Sequence, residues 1–157
     1  MLVSAEFAAS KGAKVKRPLR FVVSALRAAG AEVRAGRGEL EALERMGHVP
    51  HAHPTPDGYP DEAEPWMGTM LWRWNFALAM GTNTLGATKV DLPALARRAG
   101  LDAETASPAD LAPLFLGRLA TSAERMAIDR YVLGGSGRTA REEAVALLVA
   151  SPAFQVF

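Results

Sequence analysis

The chain contains no cysteine among its 157 residues. A disulfide, a thiolate nucleophile and a cysteine-ligated metal site are therefore excluded. The compartment stays open, because cytosolic and exported proteins can both lack cysteine. No apolar run reaches the roughly 18 residues that a membrane span needs, and Trp72-Arg73-Trp74-Asn75 interrupts the longest candidate. The N-terminal sequence MLVSAEFAAS also lacks the basic start and long apolar core of a secretory signal.

Segments that alternate apolar and polar residues are missing as well, so the sequence predicts no strand. A composition of 49% hydrophobic and 22% charged residues is that of a globular domain rather than a disordered chain. The length fits one domain, which we expect to span residues 1–157. The predicted class is all-α: an irregular multi-helix bundle of about six or seven helices.

Charge is distributed unevenly although the net charge is only +1. Residues 1–40 carry eight Lys and Arg against three Glu, and residues 41–66 carry one Arg against six Asp and Glu. Two stretches of equal and opposite net charge more often attract each other within one fold than indicate a nucleic-acid-binding surface. We therefore expect the two stretches to contact each other.

The first predicted helix starts near Val15, has Pro18 in its first turn and ends either near Gly30 or within residues 34–38. Its apolar face repeats at helical spacing, and its other face carries Lys16, Arg20, Ser24, Arg27 and Ala31. This basic stripe is a candidate phosphate-binding or nucleic-acid-binding surface. A solvated face is the preferred interpretation, and nucleic acid is not expected, because no aromatic residue interleaves with these charges.

The stretch from Asp57 to Met80 holds all three tryptophans and five of the eleven aromatic residues. Five prolines and Gly58 make residues 48–65 a loop. The following helix, Trp66 to Met80, is apolar on nearly every face and is therefore predicted to be buried, with Trp66 partly accessible at the junction. Arg73 lies within it, and Asp57 or Asp61 is its predicted partner, because a buried guanidinium needs a carboxylate.

Further helices are predicted over residues 39–46, with Leu40 and Leu43 inward, and from Asp91 to Arg98. In the last third, Ser107, Thr121 and Thr139 are predicted N-caps. The helices there are expected to bury the following apolar residues: Leu114, Phe115, Leu119, Met126, Tyr131, Val132, Val145, Leu148 and Val149. Flexible loops are predicted near residues 48–65, 81–90 and 134–138.

Three blocks of the sequence resemble the bacterial "domain of unknown function 1800" family. The first is Lys14-Val-Lys16-Arg17-Pro18 followed by Val23 and Arg27. The second and most distinctive runs from Pro54 to Asp61 and continues through Trp66 to Leu71-x-Arg73-x-Asn75-Phe76-Ala77. The third is Leu147-Leu148-Val-Ala-Ser151-Pro152-Ala-Phe154-Gln155. The resemblance covers nearly the whole chain.

The resemblance implies an α-helical bacterial protein without an established activity, often exported or envelope-associated in its full-length form. Family members are several times longer, so the resemblance implies that this chain is their C-terminal portion. His48, His51 and His53 depart from the family pattern, which usually has glutamine and apolar or aromatic residues there. The resemblance supplies no catalytic residues.

The histidines and carboxylates of the 48–66 loop have both a chemical and a structural interpretation. The three histidines and nearby carboxylates could hold zinc, but loop spacing does not fix their geometry, so neither a metal site nor a cofactor is expected. Asp57 and Asp61 could act as an acid–base pair on a glycan, although turn formation and pairing with Arg73 are the preferred roles. The candidate binding residues are Asp57, Tyr59, Asp61, Trp66 and Arg73; catalytic residues stay unknown.

The preferred function is a non-catalytic packing or interaction module of a larger protein. Its expected partner is the N-terminal portion of the family architecture or another protein, with self-association when the partner is absent. The alternative is a hydrolase or carbohydrate-acting enzyme that uses the 48–66 loop with or without a metal. A nucleic-acid binder acting through residues 14–37 is a third hypothesis, which predicts strongly salt-dependent binding.

Overall fold

The computed structural model describes residues 4–10, 12–34, 36–135 and 137–157. This part of the chain contains α-helices and one 3₁₀ turn, Pro108–Leu111, and its only β-type pairings are two isolated bridges, Val15 with Val156 and Glu32 with Lys89. The helices are α1 (Ala5–Ala9), α2 (Pro18–Ala28), α3 (Arg37–Arg45), α4 (Glu64–Met67), α5 (Met70–Gly81), α6 (Leu92–Arg98), α7 (Ala112–Leu116), α8 (Ser122–Gly134), α9 (Gly137–Ala150) and α10 (Pro152–Gln155).

The all-α class is confirmed, but the predicted six or seven helices are too few for the ten found in these residues. Four helices have only four or five residues each: α1, α4, α7 and α10. A helix of that length completes little more than one turn, so its apolar residues have no period to detect. Within the same ranges, no helix is long and apolar enough to cross a membrane.

Most predicted helix starts are confirmed by side-chain caps. The Asp91 carboxylate accepts a hydrogen bond from the Ala94 amide, and Ser107 and Thr121 each begin a capping box with the acidic residue three positions later. Pro18 occupies the first turn of α2, as predicted. The predicted cap at Thr139 is wrong, because α9 already begins at Gly137 and Thr139 lies inside it.

The core forms where α5 packs against α9 and α2. Phe21 on α2 lies at its centre, with its ring centroid 5.9 Å from that of Phe76 on α5 and 5.7 Å from that of Phe154 on α10. The two ends of the fold are joined by backbone hydrogen bonds, from the Lys16 amide to the Gln155 carbonyl at 2.7 Å and from the Phe157 amide to the Lys14 carbonyl at 3.0 Å. The segment before α2 therefore lies beside α10.

The predicted continuous, buried tryptophan helix is wrong in two respects. The chain forms two helices, α4 and α5, which are separated at Gly68 and Thr69. Trp66 is buried rather than partly accessible, at 4% exposure, whereas Trp74 is half exposed. Because α5 lies at the surface of the bundle, only the face that packs inward is buried.

Several other expected core residues are exposed: Leu40, Leu119, Met126 and Tyr131. Leu119 lies in the turn between α7 and α8, and Met126 and Tyr131 lie on α8, which is weakly amphipathic, so spacing does not show which side faces inward. Leu40 is exposed on α3, whose buried residue is Leu43. Leu43, Phe115, Val145, Leu148 and Val149 are buried as predicted. The loops at 48–65 and 81–90 are largely free of helix, and their flexibility stays a prediction. Part of the predicted loop at 134–138 falls on Ser136, outside the described residues.

Candidate functional site

An aromatic cluster forms the centre of the 48–66 loop. The ring centroid of His48 lies 4.3 Å from that of Tyr59 and 5.3 Å from that of Trp66, on which it stacks. The His53 ring meets the other side of Tyr59 edge-on at 4.7 Å. Because these residues come from both ends and the middle of the loop, their packing brings these parts of the loop together.

The polar atoms of this cluster are directed at the backbone. The Tyr59 hydroxyl donates to the Val49 carbonyl at 2.8 Å, and the Trp66 indole donates to the Pro60 carbonyl at 3.2 Å. His48 Nδ1 accepts a hydrogen bond from the Leu19 amide at 3.4 Å, which requires that nitrogen to be unprotonated. Burial, together with the charge of Arg17, lowers the pKa of His48 and so favours the neutral ring.

Asp61 joins this loop to the segment before α2. Its carboxylate pairs with the Lys14 ammonium and, at 3.7 Å, with the Arg17 guanidinium. The hydrogen bond from Lys14 is the main reason that the pKa of Asp61 lies below its usual range. These contacts confirm that the acidic and basic stretches meet. Asp57 lies apart from them, exposed, and accepts a hydrogen bond from the Thr55 hydroxyl at 3.4 Å.

Arg73 is fully buried, but its predicted carboxylate partner is wrong. Its Nε donates to the Thr69 hydroxyl and its Nη1 to the Gln155 side-chain oxygen, both at 3.0 Å. Its Nη2 has no partner within the described part of the chain. The guanidinium also lies over the Phe21 ring, 5.1 Å from its centroid. Burial lowers the pKa of Arg73 to about 10, since desolvation disfavours the charged form.

The three histidines of the loop are not arranged as ligands of one ion. His48 is buried against Tyr59 and Trp66, whereas His51 is exposed with a left-handed φ of 61°. His53 Nδ1 lies 3.1 Å from the Thr55 carbonyl. Across residues 4–10, 12–34, 36–135 and 137–157, no group of three histidine or carboxylate side chains is placed to hold a metal ion.

The chain matches the family described as "Protein of unknown function (DUF1800)" over residues 1–156. It belongs to the DUF1800 family. No curated protein and no solved structure matches it.

The three sequence blocks that resemble the DUF1800 family meet in one place. The first block contacts the second through Lys14 and Asp61, and it contacts the third through Lys16, whose ammonium donates to the Phe154 carbonyl at 2.6 Å. The second and third blocks are joined by Arg73 and Gln155. Residues that are far apart in this DUF1800 sequence therefore form one connected cluster, which includes the buried Arg73.

Two residues of this cluster were missed as functional candidates. Lys16, assigned to a solvated face, is only 8% exposed, and its ammonium lies 3.6 Å from the centroid of the Phe154 ring. Gln155 is buried and directs its amide nitrogen to the Val149 carbonyl at 2.9 Å. Their presence in the family blocks was the only sequence signal for either residue.

The outer face of α4 and α5 carries an exposed apolar stripe made of Met67, Leu71, Trp74 and Leu78. These side chains are 55%, 58%, 50% and 45% exposed. Leu71, Trp74 and Leu78 follow each other along α5 at steps of three and four residues, so they line one side of that helix. Met67 ends α4 just before it. Trp74 is held in place by its indole nitrogen, which donates to the Ala150 carbonyl on α9 at 3.3 Å.

Proposed function

We propose that this chain is a non-catalytic helical module of a larger bacterial protein, and that it works by packing the α5 stripe against another protein surface. The observation that carries the proposal is the stripe itself: four large apolar side chains in a row, each about half exposed. Contiguous exposed apolar surface of this kind marks interaction sites in soluble proteins. The partner surface is therefore expected to be apolar.

The contacts of the 48–66 loop support a structural role for the candidate binding residues. Tyr59 and Trp66 donate to carbonyls of their own loop, and Asp61 is paired with Lys14 and Arg17. Groups that are occupied in this way stabilise the loop and hold it on the bundle. We place the alternative, a hydrolase or carbohydrate-acting enzyme, second for this reason.

The experiment compares the self-association of three forms of the chain. Without its partner, the stripe has no cover, so we expect two copies to pair through it at high concentration. Sedimentation equilibrium of the wild-type chain should show a mass that rises with concentration. The double variant Leu71→Ser/Leu78→Ser should stay monomeric, because polar side chains there remove the apolar surface that drives pairing.

The matched control places the same substitutions away from the stripe. Leu119 and Leu133 are 75% and 86% exposed, so Leu119→Ser/Leu133→Ser changes the same number of exposed leucines elsewhere. This control should associate like the wild type. A wild-type chain that remains monomeric at every concentration contradicts the proposal, and so does equal loss of association in both double variants.

A further inference from the structure

A groove of about 770 Å³ runs along α2, and none of its lining residues belongs to α5. This volume lies in the range of small-molecule binding sites. One wall is the basic face of α2 and the segment before it, and the floor is apolar. The lining residues used below are Lys16, Arg17, Arg20, Ser24, Arg27 and Phe115.

The groove concentrates positive charge without a matching carboxylate. Four of its lining residues are Lys or Arg, and none is Asp or Glu. In the part of the chain that the structure describes, Lys16, Arg20 and Arg27 form no ion pair; only Arg17 does, with Asp61. Arg20 instead stacks on the Phe157 ring, with its guanidinium carbon 3.4 Å from the centroid.

The start of α2 adds to this positive potential. The N-terminus of a helix carries a partial positive charge, and acidic residues or side-chain caps usually balance it. The first turn of α2 has neither, and Lys16, Arg17 and Arg20 stand there instead. Burial, with the charges of Arg20 and Arg73, lowers the pKa of Lys16 to about 8. An anion in the groove would relieve this accumulation of charge.

We propose that this groove binds a small organic phosphate. Guanidinium groups match phosphate oxygens with paired hydrogen bonds, and Arg20, Ser24 and Arg27 follow each other along one face of α2 at steps of four and three residues. The apolar floor, which includes Phe115, accepts the organic part of the ligand. This site is on a different surface from the α5 stripe, so the inference does not depend on the proposed function.

Nucleic acid fits this groove less well than a small ligand does. Single strands are bound by stacking their bases on accessible aromatic rings. The groove rings, Phe115 and Phe154, are 6% and 1% exposed, and Arg20 occupies one face of the nearby Phe157 ring. The ligand is therefore expected to bring one or two phosphates rather than a chain of bases.

Isothermal titration calorimetry of the full chain with phenyl phosphate tests the inference. We expect saturable 1:1 binding, tighter than that of inorganic phosphate, because the phenyl group reaches the apolar floor. Arg27→Gln should weaken binding about tenfold, since a hydrogen bond to a charged group is worth about that factor. Arg27 is exposed, so the variant should fold; Arg20→Gln provides a second, independent loss of affinity.

Arg97→Gln is the matched control, because Arg97 is exposed on α6 and does not line the groove. It should bind phenyl phosphate like the wild type. Three results would overturn the inference. They are no saturable binding of phenyl phosphate at millimolar concentration, a loss of affinity in Arg97→Gln equal to that in Arg27→Gln, and benzoate binding as tight as that of phenyl phosphate. Displacement of phenyl phosphate by micromolar oligothymidine would also overturn it, in favour of a nucleic-acid site.

Discussion

Replacing Arg73 by methionine tests how the centre of the fold is stabilised. Arg73 is fully buried and is held by Thr69 and Gln155 rather than by a carboxylate. Methionine is unbranched and flexible enough to fill much of the same space. The variant therefore removes the charge and its hydrogen bonds while leaving a smaller cavity than alanine would.

The expected loss of stability follows from three opposing contributions. Burial lowers the pKa of Arg73 to about 10. At about 1.4 kcal/mol per pKa unit, burying the charge lowers the free energy of unfolding by about 3 kcal/mol. Methionine is neutral and removes this loss. Against this, hydrogen bonds from a charged donor contribute about 1.5–3 kcal/mol each, and an unpaired buried Gln155 oxygen costs about 1–3 kcal/mol. With two such hydrogen bonds lost, the net effect should be a destabilisation of about 1–6 kcal/mol.

The decisive assay is a pair of double-mutant cycles, measured by urea unfolding with tryptophan fluorescence. Combining Arg73→Met with Gln155→Leu should give a coupling energy of about 1.5–3 kcal/mol, because the two side chains share a hydrogen bond. Combining it with Asp61→Asn should give nearly additive effects, since Asp61 is exposed and paired with Lys14. A coupling to Asp61 as large as that to Gln155 would refute the reasoning.

Two further predictions concern Lys16 and Gly81. The pKa of Lys16 is lowered to about 8 in the folded chain. Above that pH the unfolded chain therefore binds more protons than the folded chain does. The free energy of unfolding should rise by about 1.5 kcal/mol between pH 8 and 9.5. Urea titrations across that range should show the rise in the wild type and a flatter profile in Lys16→Met. Gly81→Ala should lower the melting temperature by the equivalent of about 1–3 kcal/mol, because its Cβ would lie 2.7 Å from the Glu142 carbonyl on α9. Gly134→Ala is the control, because nothing lies within 4 Å of the added Cβ, and it should be neutral or slightly stabilising. An equal loss of melting temperature in both variants would contradict the close packing of α5 on α9.

Features that depend on residues close together in sequence were largely predictable. The caps at Asp91, Ser107 and Thr121 were identified because the hydrogen bond that defines each lies within three residues. Thr139 has the same pattern but lies inside α9, since a Thr and a Glu three positions apart also occur within helices. Local chemistry therefore identified most of the predicted helix starts, but the pattern alone does not distinguish a cap from the interior of a helix.

Features that depend on distant residues could not be predicted in the same way. The sequence indicated correctly that Arg73 is buried, because apolar residues surround it on the helix. Its partner, Gln155, is 82 positions away, and no local rule distinguishes it from the acids of the adjoining loop. The same limit applies to Lys16, whose burial depends on Phe154 from the other end of the chain.

The hydrophobic outer face of α5 connects the failed burial prediction with the proposed function. A helix that is apolar on all sides is normally enclosed on all sides, yet only the inner face of α5, with Phe76 and Met80, is covered within this chain. A solvated face would ordinarily carry charged residues at positions such as Leu71 and Leu78, because they cost little there and improve solubility. The absence of charged residues from these positions is expected if another protein covers this surface. The burial that the sequence predicts for α5 would then be completed by the partner rather than by this chain.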